Sequence, residues 1–296
     1  MMNKPIIRII AYSIGLILCV GILLFSFIPN DPWVHDRSHY TDSPATNQEN
    51  EDMSLLNFDE KIQEIEIDWV SGSITIQMGD VDDIMVMEYC SETIQDPIAY
   101  RVSGKTLEIQ YCKNMDRLIS FGGKSTQEKH LVITFPQGWK GQLIEIDTAS
   151  ADLNMEKITI QELDFDGASG TCVMKDCTID KVDLDTASGD ITFTGILEAL
   201  DCDATSANCT IEVWNVPKSI DIDAASGDLD LILPESAGFT CRMDTMSGTF
   251  RTDFECTDHD DTHTHGDGAC KISVSAMSGN VTIYKGTTHH QETHHN

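Results

Sequence analysis

The sequence predicts an all-β chain: a single-stranded parallel β-solenoid, right-handed and β-helix-like, with about 19 residues per rung, a β-rich N-terminal cap and one N-terminal transmembrane helix. Three observations predict it. A serine-centred motif returns at near-constant spacing through the second half of the chain. Apolar residues alternate on both sides of that serine and keep their type from copy to copy. Helical periodicity is confined to one uncharged apolar stretch near the N-terminus.

The motif is a small residue, then Ser, then Gly or Ala, then a polar residue. It occurs as Ala149-Ser150-Ala151-Asp152, Ala168-Ser169-Gly170-Thr171, Ala187-Ser188-Gly189-Asp190 and Thr205-Ser206-Ala207-Asn208. It continues as Ala225-Ser226-Gly227-Asp228, Met246-Ser247-Gly248-Thr249 and Met277-Ser278-Gly279-Asn280, with an outlying copy at Val70-Ser71-Gly72-Ser73. The serines from 150 to 247 stand 19, 19, 18, 20 and 21 residues apart. Four residues before each serine come Ile67, Ile146, Phe165, Leu184, Cys202, Ile222, Met243 and Val274. Three residues after it come Ile74, Leu153, Cys172, Ile191, Cys209, Leu229, Phe250 and Val281. Alternation of this kind means strands with one buried face. The Ser-Gly step shifts the alternation by one, as a bend between two strands does, and Gly tolerates the dihedrals of a bend. Columns of constant type mean that equivalent residues stack, which favours rungs of a parallel coil over hairpins of an antiparallel sheet. The crossover rule makes that coil right-handed.

The elements follow in order. Residues 1–8 form a cytoplasmic stub, because Lys4 and Arg8 precede the apolar stretch and acidic residues dominate after it. Residues 9–28 form the anchor; 20 apolar or uncharged residues are enough to cross a bilayer as a helix. No small-residue cleavage site follows, so the reading is a retained single pass with everything beyond it outside the cell. Residues 29–56 are polar, without periodicity, and read as a linker. Residues 57–140 carry strands with weaker repetition and form the cap and first rung. Residues 141–286 are the solenoid, with an insertion at 256–270, and 287–296 are a His-rich tail.

Charge bears on function. The chain has 49 acidic and 19 basic residues, a formal net charge of −30, which excludes nucleic acid as a partner and points to cations or a basic surface. The acidic residues are ordered. Three before each serine stand Asp68, Asp147, Asp166, Asp185, Asp203, Asp223 and Asp244, then Ser275. Five before it stand Glu66, Glu145, Asp164, Asp183, Asp201 and Asp221, then Arg242. Both columns interleave with the buried ones and are expected to point outward as one acidic ladder. At a rung spacing of about 4.8 Å, neighbouring charges repel by roughly 0.9 kcal/mol in bulk water, approaching ~8 kcal/mol over the ladder before screening. Raised carboxyl pKa values, monovalent counterions or bound Ca²⁺ would each relieve it. The alternative is a plain solvated face that resists sheet aggregation.

The insertion holds His259, His263 and His265 between Cys256 and Cys270. Imidazole, carboxylate and thiolate suit Zn²⁺, although the spacing matches no standard zinc motif. The competing reading is a surface loop closed by a Cys256–Cys270 disulfide, with the tail histidines as low-complexity sequence. Cys172, Cys202, Cys209 and Cys241 fall in core columns and act as small hydrophobes; Cys90 and Cys112 end two strands and form a candidate pair.

The Ser-Gly-Asp strand repeats, the strand closed by Phe135-Pro136 and the N-terminal anchor resemble the bacterial "putative adhesin" domain of unknown function, with which LiaG-like proteins of envelope-stress operons belong. The resemblance covers about residues 57–286. It implies a surface β-repeat fold and brings no catalytic residues; the acidic face and the His-rich loop depart from it. Catalysis is not expected on the residues either. A glycosidase needs two carboxylates with differing environments, whereas these are regular, and the ladder serines have no recurring histidine beside them. Two non-catalytic classes remain. One is an adhesion-like stalk binding divalent cations, cell wall or a host surface. The other is an envelope-stress accessory acting through a membrane protein.

Overall fold

A computed structural model describes residues 52–59, 61–113 and 127–286. The anchor at 9–28, most of the linker and the His-rich tail lie outside the described residues. Among the described residues the chain is all β, with no helix, and its strands join one sheet of nineteen. In chain order they are β1 Asp52–Phe58, β2 Glu64–Gly79, β3 Ile84–Cys90, β4 Ala99–Ser103, β5 Thr106–Gln110 and β6 Lys129–Pro136. There follow β7 Gly141–Glu156, β8 Thr159–Ser169, β9 Cys172–Ser188, β10 Ile191–Ser206, β11 Cys209–Val213, β12 Ser219–Ser226 and β13 Leu229–Pro234. The last six are β14 Phe239–Ser247, β15 Phe250–Thr252, β16 Thr257–His259, β17 Thr262–His265, β18 Cys270–Ser278 and β19 Val281–Gly286. Strand β1 begins inside the stretch read as linker and pairs with β3, so ordered structure starts earlier than composition suggested.

The rungs stack in parallel. Ser71 lies beside Ser150, Ser169 beside Ser188, and Ser206 between Ser188 and Ser226. Segments before the serine form one flank of the coil and segments after it the other. On the second flank Ile74, Leu153, Cys172, Ile191, Cys209 and Leu229 stand in one row. The rows facing inward are closed off from water: Ile65, Ile144, Leu163 and Val182 are fully buried. Each such side chain contributes roughly 1.5–3 kcal/mol. Cys172, Cys202, Cys209, Cys241 and also Cys177 fill core positions. All nine described cysteines are free thiols, so neither Cys256–Cys270 nor Cys90–Cys112 is a disulfide.

One part of the expected order is corrected. Rungs do not follow chain order to the end: β18 pairs with β12 on one side and β14 on the other. On the second flank β19 likewise lies between β13 and β15. The final rung in sequence is therefore inserted before the previous one. At the two ladder positions it carries the neutral Ser273 and Ser275, and Ser275 separates Asp223 from Asp244, two like charges that chain order would have stacked. The residues that lengthen the interval to Ser278 include the hairpin β16–β17, which pairs antiparallel with the outer edge of β14.

The ends are closed by antiparallel strands, which a coil needs to avoid presenting open edges. At the N-terminal end β1, β3 and β6 form one closure and β4–β5 another. Trp139 stacks on Phe135 at 3.7 Å and donates its indole N–H to the Ile62 carbonyl at 2.9 Å. Beneath β3, Lys129 is 1% exposed and its ammonium meets the fully buried Glu88 at 2.5 Å. It also donates to the carbonyls of Asp96 and Tyr111 and lies 3.9 Å from the Tyr111 ring centroid.

Candidate functional site: the acidic strip

The ladder is built by the pleat. Inward apolar residues fix the register, and residues between them emerge on the other side of the strand at every rung. Glu66, Glu145, Asp164, Asp183, Asp201 and Asp221 are successive register partners. Asp68, Asp147, Asp166, Asp185, Asp203 and Asp223 are a second row two residues along. The sequence missed how this strip ends. Glu108 on β5 extends the first row beyond Glu66, and Gln110 extends the second beyond Asp68, donating to its carboxylate at 3.0 Å. Leu107 and Ile109 gave the alternation that could have revealed this rung, but no Ser-Gly bend follows it. Arg101 on β4 pairs with Glu108, and Ser273 followed by Arg242 closes the first row at the far end. Thirteen register positions of acid, seven in the first row with Glu108 and six in the second, are thus present, and an arginine bounds each end of the first row.

The strip is less exposed than an outward column suggests. Its Asp68–Asp223 row is half-buried throughout, and in the Glu66–Asp221 row only Asp201 and Asp221 are exposed. Burial, then neighbouring carboxylates, raise the pKa of Asp147 and Asp203 to about 7 and of Asp166 and Asp185 to about 6. Burial and neighbours also raise Glu66, Glu145, Asp164 and Asp201. Asp68 is raised by burial against the opposing hydrogen bond from Gln110. Lys181 bridges Glu162 and Asp183 at 2.8 and 3.0 Å, supplying local positive charge on this flank. Holding protons is therefore one way the row relieves itself. Among the described residues no three His, Cys, Asp or Glu side chains form a metal-holding group.

In the loop the candidate ligands take separate partners. His263 stacks flat on Phe250, centroids 3.8 Å apart, and its Nδ1 lies 2.7 Å from Asp258. His265 places Nδ1 2.7 Å from the Glu255 carbonyl and tilts against Phe254. His259 is exposed beside Asp260, Cys256 is partly buried and Cys270 is fully buried. The five are not gathered around one point; the hairpin packs His263 flat and His265 tilted against aromatic rings at the end of the core.

A second ladder runs along the bend, two residues after each serine. Thr171 donates its N–H and hydroxyl to Asp152 at 2.8 and 2.9 Å. Asn208 donates to Asp190, the Asp228 N–H to Asn208, and Asn280 to Asp228. Thr249 closes the run on Asn280. These side chains satisfy backbone N–H groups left free where the strand turns. Along the later rungs the bend is grooved, a volume of about 640 Å³ lined by Ser206, Asn208, Ser226, Asp228, Thr249 and Asn280 among others.

The repeating rung is also what the comparison with known families registers. A family described as Toastrack DUF4097 matches residues 62–211 and again 142–284. The chain belongs to this family. The two Toastrack matches overlap, as a repeated unit allows when one description fits in two registers. A search of curated proteins found no match. Among solved structures, the Toastrack chain is similar to a "putative cell adhesion protein" from Clostridium sporogenes, 13% identical with TM-score 0.41, covering 80% of this chain and all of that one. It is also similar to a "putative adhesin" from Bacteroides fragilis, 15% identical with TM-score 0.39, covering 79% of this chain and 96% of that one. A "putative lipid binding protein" from Parabacteroides distasonis is 16% identical with TM-score 0.39, covering 81% and 98%.

Proposed function

We propose that this Toastrack chain is a non-catalytic, membrane-anchored surface protein whose acidic strip is its contact face, taking a basic partner surface or multivalent cations. The observation that supports it is the in-register double row of carboxylates from Glu66 and Asp68 to Asp221 and Asp223. A row that holds protons against its own repulsion gains when a dense positive surface takes their place, because each added cation relieves two neighbours at once. The anchor expected at residues 9–28 keeps this face at the cell surface.

The test uses the full chain in lipid nanodiscs. Binding to isolated cell-wall sheets and to immobilised polylysine is compared with that of the triple variant Asp166→Asn, Asp185→Asn, Asp203→Asn. The reading expects at least a tenfold loss with the β-sheet circular dichroism unchanged; equal binding by both proteins sinks it. Calcium titration separates the cation version, which requires a melting temperature above that in matched magnesium and ionic-strength controls. Capture of one membrane protein that is indifferent to the three substitutions would instead favour the accessory role.

A further inference from the structure

We propose that β18–β19 is a removable rung: it can leave its slot, and β12–β13 then closes directly onto β14–β15 in the same register. The inserted position is what suggests it. Residues 235–238 join β13 to β14 without passing through β18–β19, so withdrawal breaks no connection between the two rungs that flank the slot. Four residues reach about 13 Å when extended, enough to span one rung spacing or two.

The faces that would meet already match. Ile220, Ile222 and Leu229 now abut Ile272, Val274 and Val281, which in turn abut Cys241, Met243 and Phe250. Removing the middle member of each trio leaves apolar against apolar. At the bend, Thr249 bonds Asn280 and Asn280 bonds Asp228. After closure Thr249 meets Asp228 itself, the pairing that Thr171 and Asp152 already make elsewhere in the coil. The glycines agree too. A Cβ on Gly248 would lie 2.0 Å from the Gly279 carbonyl oxygen, and one on Gly279 would lie 2.0 Å from that of Gly227. Every bend bordering the slot is therefore glycine, so no side chain stands in the way when Gly248 comes to Gly227.

Charge gives the closed state a signature. Asp221 and Arg242 are now separated by Ser273, and closure brings them side by side. The released segment carries Cys270, Ile272, Val274 and Ala276 on one edge-to-edge face, a strand able to add to an open sheet.

Disulfide reach decides the matter. Residues two rungs apart stand about 9.6 Å from one another, beyond the roughly 7 Å that a disulfide spans, whereas adjacent rungs are within it. Two double variants of the full chain, Asp221→Cys with Ser273→Cys and Asp221→Cys with Arg242→Cys, are incubated with oxidised glutathione and mapped by mass spectrometry. The first pair should close at once from the inserted state. The second should close slowly and completely as each opening is trapped, and several-fold faster in a background carrying Ser273→Asp and Ser275→Asp. The trapped form should lose residues 270–286 to protease while the earlier rungs resist. A second pair that stays reduced however long the incubation, while the first closes, overturns the proposal. So does a trapped form that is digested throughout, which would come from global unfolding.

Discussion

Gly189 shows how closely the rungs approach at the bend. Its φ is +139°, and an added Cβ would stand 1.8 Å from the carbonyl oxygen of Gly170 on the preceding rung. Backbone cannot yield there without moving a whole rung. Gly189→Ala is therefore expected to lower stability by about 2–4 kcal/mol in urea denaturation, combining backbone strain with a backbone clash. Gly104, at φ +64° with nothing within 4 Å, is the control: Gly104→Ala meets only the conformational cost, about 1 kcal/mol. Equal losses at both sites would mean that the bend does not set rung spacing. Ala151 and Ala207 occupy the corresponding place in two other rungs with their methyl groups buried, and neither has positive φ. The repeat therefore admits alanine only where the bend itself changes.

The closing elements carry their own electrostatics. Lys129 and Glu88 are both out of contact with water, and each is the other's charge partner. Removing one side leaves a buried ion uncompensated, so Lys129→Met is expected to cost about 3–5 kcal/mol, while the double change Lys129→Met with Glu88→Leu recovers most of it. Thermal melts of the single and double variants check this, and a double variant no better than the single would show that the ammonium serves the Asp96 and Tyr111 carbonyls instead. None of this pair was legible in the sequence, because Glu88 and Lys129 are far apart in the chain and belong to strands without the serine repeat. The stacked rungs were legible, since a coil repeats its side-chain pattern each turn and the serine marks the phase. The inserted order of β18 was not: Ile220, Cys241 and Ile272 are interchangeable by pattern, so periodicity gives the register of each strand but not which strand lies next to it. The hairpin β16–β17 was hidden for a related reason. Its histidines look like ligands in sequence, and only the positions of Phe250 and Phe254 show that His263 and His265 pack on rings.

Stacking one axis of rungs makes every repeated charge a property of the entire coil, and pH reports it. Asp147 and Asp203 hold their protons up to about pH 7 in the folded chain, Asp166 and Asp185 up to about pH 6, because burial and then carboxylate neighbours oppose ionisation. An unfolded aspartate ionises near pH 4. Below that pH both states are protonated and these groups contribute no penalty. As pH rises from about 4 to 7 the unfolded chain gives up protons that the folded chain retains, so stability falls, and the decline levels off once the folded row has ionised too. Shared repulsion and half-exposure make the total smaller than four independent groups would give, on the order of 3–6 kcal/mol. Urea denaturation from pH 4.5 to 8 should therefore show the midpoint falling with pH. Asp166→Asn with Asp185→Asn should flatten that slope and raise stability at pH 8, since the amides cannot repel their neighbours. Added salt should recover stability at pH 8 and have less effect at pH 5, where the row is largely uncharged. A midpoint that rises with pH across this window would mean that the carboxylates are stabilised as anions by something within the fold, and the protonated row would have to be given up.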